Sequence, residues 1–179
     1  MGLFLQTLIL PDCTLQEVQD ALKKAESLPD LELQAEKCLY ASVSNGHVVL
    51  LNDSCTGYET LAQALSADLQ GPVLLLYIFD EDFWGYYFYD AGQELDVFSP
   101  LPDYFEEVSD SERQRSAGNS ALIARYFQVA EETISNYLVL WEDAVFSAAA
   151  KAYPDDEYEQ GYCWQMADFM RRLGYPYPW

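Results

Sequence analysis

Two hydrophobic periods run along the chain, and the change from one to the other orders its elements. "LFLQTLIL" (3–10) is an apolar run of strand length, stopped by Pro11 and Asp12. "TLQE" (14–17) has the form of a capping box, in which Thr14 accepts from a first-turn N–H while Glu17 reaches back. Leu15, Val18, Leu22 and Ala25 then share one helical face, and Pro29-Asp30 closes the region. "KCLYASV" and "HVVLLND" flank "SNG" (44–46), which predicts a hairpin because Asn and Gly suit tight turns. "TGYE" (56–59) reads as a second capping box, followed by an apolar face of Tyr58, Leu61, Leu65 and Leu69 and broken by Gly71-Pro72. "VLLLYIF" (73–79) is the most apolar stretch and predicts a central strand buried on both faces. The order strand–helix–strand, strand–helix–strand is that of a split βαβ unit. Residues 8–22 and 49–65 repeat it in outline, each with Cys-Thr ahead of the helix.

"FWGYYFYD" (83–90) packs six aromatic rings into eight positions. With "ELDVF" (94–98) beyond the Ala91-Gly92-Gln93 turn, it predicts a hairpin added to the sheet. Alternation puts Trp84, Tyr86 and Phe88 on one face, and Phe83, Tyr87 and Tyr89 on the other. Phe88 belongs on the core side, with the later helices available to cover the tyrosine face. Core packing is favoured over a ligand platform. "SPLPDYFEE" (99–107) reads as a loop and "SDSERQRSAGN" (109–119) as a polar linker. A short helix is expected from Ser120, and Ile134, Tyr137, Leu138, Trp141 and Val145 are spaced as the face of a longer one. Tyr162, Met166, Phe169 and Leu173 mark a last helix ended by Gly174, and the aromatics of "YPYPW" should dock on the body.

The expected fold is therefore α+β: an N-terminal mixed or antiparallel sheet of split βαβ type with an aromatic hairpin, then a helical half. At 179 residues one domain is expected, sheet-rich over 1–105 and helical over 120–174. The apolar N-terminus lacks the basic region and cleavage site of a secretory leader, so it reads as a first strand and the protein as cytoplasmic.

Charge narrows the function. Thirty acidic residues against nine basic ones give a net charge of −21, which repels phosphates and anionic lipid and steers cationic partners inward. Neither nucleic acid nor membrane is an expected partner. No Gly-rich phosphate loop occurs, and no cofactor is implied. Cys13, Cys38, Cys55 and Cys163 form no CxxC pair, so they read as buried free thiols rather than zinc ligands. His47, the single histidine, starts a hairpin strand outside any nucleophile motif, which favours a packing role. Asp80-Glu81-Asp82 follows the central strand, and "DDEYE" (155–159) lacks the glycine and alternation of a calcium loop. Both read as solvated acidic turns.

The stretch 73–105 resembles uncharacterised bacterial proteins in which an apolar strand ends in Asp, an aromatic hairpin turns at Gly, and Asp-x-Phe-x-x-x-Pro-Asp-Tyr-Phe follows. The matching positions are Asp80, Gly92, Asp96, Phe98, Pro102, Asp103, Tyr104 and Phe105. Small acidic α+β proteins of this kind also look like immunity proteins of bacterial toxin systems. The resemblance implies a fold and no catalytic residues. Two functional readings result. One is a non-catalytic interaction protein, of immunity type, docking a basic protein partner through Asp80, Glu81, Asp82, Trp84, Tyr87 and Tyr89. The other is an enzyme or small-ligand binder built on the Asp80–Asp82 turn and nearby tyrosines.

Overall fold

The computed structural model describes residues 2–52 and 56–178. Strand β1 (Leu5–Pro11) leads into helix α1 (Leu15–Ala25), opened by the expected capping box of Thr14 and Glu17. Val18, Ala21, Leu22 and Ala25 are its buried stripe. A single 3₁₀ turn (Ala35–Lys37) precedes the hairpin of β2 (Leu39–Val43) and β3 (Gly46–Leu50). Helix α2 (Tyr58–Leu69) buries Leu61, Ala62, Leu65 and Ser66. Its expected capping box does not form: Gly57, left-handed at φ 70°, takes the N-cap place, and no side chain caps it. The chain continues through β4 (Pro72–Phe79), β5 (Phe83–Asp90) and β6 (Gln93–Phe98).

The six strands form one sheet in the order β2-β3-β1-β4-β5-β6. Strand β3 lies antiparallel to both β1 and β2, so the first four strands follow the split βαβ order. The β5–β6 turn at Ala91-Gly92 has φ of 45° and 82°, the doubly left-handed geometry that matches strand twist in a two-residue hairpin. The fold is α+β, as the patterning implies.

Two compact units make up the described chain. One holds Phe4–Tyr77 and Tyr87–Leu95. Its core joins Leu8, Leu10 and Val49 of the sheet to Val18 and Leu22 of α1 and Leu61 and Leu65 of α2. Tyr89 is buried in this cluster, and Tyr87 packs against it, 5.7 Å from Tyr77 between ring centroids.

The other unit holds Ile78–Tyr86 and Asp96–Tyr177. Its helices are α3 (Asp110–Arg115), α4 (Ser120–Phe127), α5 (Asp143–Ala148) and α6 (Gln165–Arg172). Trp84 and Tyr86 pack on Phe98 and on Phe169 of α6, with centroids 5.1 to 6.0 Å apart. The cover expected from later helices thus falls on Trp84 and Tyr86 and not on Tyr87 and Tyr89, which join the cluster of the first unit. Phe88 is fully buried.

Two segments differ from their patterning. Residues 109–119 are not a linker. Ser109 and Glu112 form a capping box for α3, and Ala117 bridges Phe98 at the sheet margin. Asp96 fixes the exit, accepting from Tyr86 (2.6 Å) and from the Asn119 N–H (2.8 Å). A Cβ at the intervening Gly118, itself at φ 73°, would sit 2.9 Å from the Tyr86 hydroxyl. The expected helix from Ile134 is instead two 3₁₀ turns (Glu131–Thr133 and Ser135–Tyr137), an extended stretch and α5. Ile134 and Tyr137, both fully buried, satisfy a period of three as well as one of 3.6. The Trp141 N–H then bonds Pro100 O at 2.9 Å, which holds the extended path. Helix α6 buries Met166 and Phe169, and Gly174 follows its end at φ 85°. Tyr162 lies outside that helix and is exposed. Tyr175 and Tyr177 are buried, and Trp179 lies outside the described residues.

Candidate interaction surface at the acidic turn

Strand β4 ends at Phe79 and β5 begins at Phe83, so Asp80, Glu81 and Asp82 make the whole connection. The Asp82 N–H bonds Phe79 O at 2.9 Å, and both central residues are left-handed, Asp80 at φ 50° and Glu81 at φ 65°. This is the tight hairpin geometry that glycine and asparagine favour, here carried by two carboxylate residues. The N-terminal segment supports it. Glu81 donates its N–H to Leu3 O at 2.9 Å, and a Cβ at Gly2 would overlap the Asp80 carbonyl, so only glycine permits the approach. All three acidic side chains are exposed.

Beside them stands a group of four rings. Phe79 and Phe83 stack at 5.7 Å; Tyr104 and Phe105 meet Phe79 edge-on at 5.7 and 5.1 Å. Tyr104 also lies 5.0 Å from both Phe83 and Phe105. Phe83 is buried, whereas Tyr104 is 39% and Phe105 73% exposed. The Tyr104 hydroxyl donates to Asp82, which raises its pKa, with desolvation and the Asp80 charge adding to the effect. Asp103 holds the loop that presents these rings. It accepts from the Val108 N–H at 3.0 Å and from Arg113 at 2.8 Å, and the two together lower its pKa. The arrangement is a rim of three exposed carboxylates against an exposed aromatic edge.

Of the six residues expected to bind a partner, the structure brings together Asp80, Glu81 and Asp82 only. Trp84 is fully buried, its indole donating to Gln165 at 3.2 Å. Tyr89 is 3% exposed. Tyr87 is half-buried, and burial raises its pKa, followed by the neighbouring Tyr77 and Glu59. Trp84 belongs to the core of one unit, and Tyr89, with Tyr87 packed beside it, to the core of the other. Tyr104 and Phe105 take their place at the surface. Their signal in sequence was a Tyr-Phe pair held in a proline-bounded loop rather than in a strand.

The other candidate groups are structural. The acidic turn 155–159 departs from the solvated turn its sequence suggests: Asp156 is 3% exposed. It accepts from Tyr137 (2.6 Å), the Tyr153 N–H (2.9 Å) and Arg172 (3.0 Å). Asp168, also buried, accepts from the Glu157 and Tyr158 N–H groups and from Arg171 at 2.9 Å. His47 has both ring nitrogens engaged, Nδ1 with Ser42 Oγ and Nε2 with Cys13 O, each at 3.0 Å. Cys13, Cys38 and Cys163 are free thiols. Burial pushes Cys13 and Cys163 up to about 11 and raises Cys38 as well, so none is poised as a thiolate. Cys55 lies outside the described residues. Among the described residues, no group of three or more His, Cys, Asp or Glu side chains is placed to hold a metal, and no helix is long and apolar enough to cross a membrane.

No protein-family model matches the chain, and neither a curated protein nor a solved structure does.

Proposed function

We propose that the protein is a non-catalytic interaction protein, an immunity-type inhibitor of bacterial origin acting in the cytoplasm, that docks a basic protein partner through the β4–β5 turn. One observation carries this reading: Phe105, 73% exposed, stands with Tyr104 against three consecutive exposed carboxylates. A large ring left in water beside like charges gains most when a cationic, partly apolar surface covers it. The net charge of −21 extends the attraction and accelerates encounter. An enzyme or small-ligand site on the same turn would draw on nearby tyrosines. Tyr89, however, is buried, and among the described residues His47 has both ring nitrogens engaged by Ser42 and the Cys13 carbonyl rather than by a thiol.

The test is association with a partner recovered from the source cell, measured against two variants. Phe105→Ala should raise the dissociation rate, and the triple variant Asp80→Asn, Glu81→Gln, Asp82→Asn should slow association and flatten its salt dependence. Unchanged kinetics in both variants would remove the turn from the interface.

A further inference from the structure

The two margins of the sheet are finished differently. At β6, Glu94 and Asp96 place charges in the strand, and residues 116–118 close its end. Ser99 donates to Ser116 O at 2.9 Å, and Gly118 to Val97 O at 3.1 Å. These are the usual protections of a sheet edge. Strand β2, "LYASV", has none of them: no charge, no proline and, among the described residues, no strand beyond it.

The register shows which main-chain groups that edge offers. Leu51 donates to Gln6 O at 3.0 Å, and Asp12 to Asn45 O at 2.9 Å, so the odd-numbered residues of β3 turn toward β1. Its even-numbered residues then bond β2, Gly46 opposite Val43, Val48 opposite Ala41 and Leu50 opposite Leu39. Tyr40 and Ser42 therefore point their N–H and C=O groups away from the sheet. Beside this edge lies a cleft of about 560 Å³ lined by Gln19, Asp20, Lys23, Glu36, Cys38 and Tyr40. The Lys23 ammonium pairs with Glu26 and also feels Glu36, so one cation faces the carboxylates of Asp20, Glu26 and Glu36, and the balance of charge at the cleft is negative.

We propose that β2 is a docking edge for an extended, lysine- or arginine-bearing segment of a partner protein, added to the sheet as a seventh strand. Main-chain bonds to Tyr40 and Ser42 would give it direction. Its side chains on the α1 side would run over Cys38 and Tyr40, an apolar floor suited to a long aliphatic stem, with the cation reaching Asp20 or Glu36. A second copy of the chain is the poorer occupant, because it brings another −21 charges to a contact only five residues long. This surface is independent of the β4–β5 turn, so either can fail alone.

The probe is a heptapeptide of alternating valine and lysine, titrated into the full chain while amide hydrogen exchange is followed by residue. Exchange at Tyr40 and Ser42 should slow, while Leu39, Ala41 and Val43, already bonded to β3, should not change. Ser42→Pro removes an outward N–H and should weaken binding about tenfold. Ser42→Ala loses the same contact to His47 but keeps the N–H, and should bind as the parent does. A peptide N-methylated at alternate residues should fail to bind, which tests the main-chain bonds even if Ser42→Pro does not fold. Equal binding of a valine–glutamate peptide would overturn the proposal. So would protection at other amides, undiminished binding of the N-methylated peptide, or no binding at millimolar peptide. Slowing at Tyr40 and Ser42 that rises with protein concentration alone would give the edge to a second copy instead.

Discussion

Two acidic turns in the same unit have opposite fates. Asp80-Glu81-Asp82 is exposed throughout, and its side-chain partner is the Tyr104 hydroxyl. The turn at 155–159 sends Asp156 into the interior, where a tyrosine, a main-chain N–H and an arginine saturate it. The difference lies elsewhere in the chain: α6 ends in Arg171-Arg172, two of only nine basic residues. In a chain this acidic, a carboxylate is buried where a cation is available to it, and the remainder are left to face solvent or a partner. Location of the scarce arginines therefore separates structural acids from those free to act in binding.

The comparison breaks most sharply at Asp156. Replacing it with Ala leaves the Tyr137 hydroxyl and the Tyr153 N–H without their acceptor and takes one of two carboxylates from Arg172, which keeps Asp155, and should cost about 3–5 kcal/mol, read as a fall in the urea midpoint. Asp82→Asn should move that midpoint by less than about 0.5 kcal/mol, as exposed substitutions do. Equal losses would mean that the exposed turn is structural too.

Acid should sharpen the contrast next. Arg172 holds Asp155 below its ordinary value of 3.8, the direct hydrogen bond leading. The Val108 N–H, with Arg113 behind it, does the same for Asp103. A carboxyl whose folded pKa is lowered stabilises the fold fully above its unfolded value and loses that contribution as pH falls through the folded one. Stability should thus decline below about pH 4, and Asp103→Asn or Asp155→Asn should make the decline shallower. A slope unchanged in both variants would show that neither contact persists in solution.

Local chemistry made much of this fold readable. The capping box at Thr14–Glu17, the apolar run of β4 and the period-two aromatics of β5 each specify their own structure, and together they yield the split βαβ order. The failures share a cause. A helix was expected at 134–145 because 3₁₀ and α spacings coincide over Ile134 and Tyr137, and what separates them lies elsewhere in the chain, in contacts such as Trp141–Pro100 and Asn136–Ala152. Ser109-Asp-Ser-Glu112 carried a capping box, but its polarity read as a linker. At the candidate surface the acids were evident, whereas the choice of rings was not. Trp84 and Tyr89 are as aromatic as Tyr104 and Phe105; what buries the first pair is packing within the core of each one's own unit, a tertiary fact.

Glu81 offers a smaller test within the exposed turn. A glutamate at φ 65° is held where its Cβ is crowded, at a cost of about 1–2 kcal/mol for an L-residue. Asparagine tolerates that region better, so Glu81→Asn should stabilise the protein by about 0.5–1 kcal/mol. A loss of stability on chemical denaturation would mean that the carboxylate itself supports the turn.

The smallest expected change in stability is also the most telling for function. Phe105 touches Phe79 and Tyr104 by its edges but leaves most of its surface in water. Phe105→Ala should therefore shift the unfolding midpoint by no more than about 0.5 kcal/mol. Phe169, fully buried between Trp84, Tyr86 and Tyr137, should cost about 3–5 kcal/mol when cut to Ala. If Phe105 anchors a partner, the same substitution should shorten the lifetime of the complex about tenfold or more, since a desolvated ring at an interface contributes what it does not contribute to the fold. Loss of stability without loss of binding would reverse the assignment and make Phe105 a lid over Phe79.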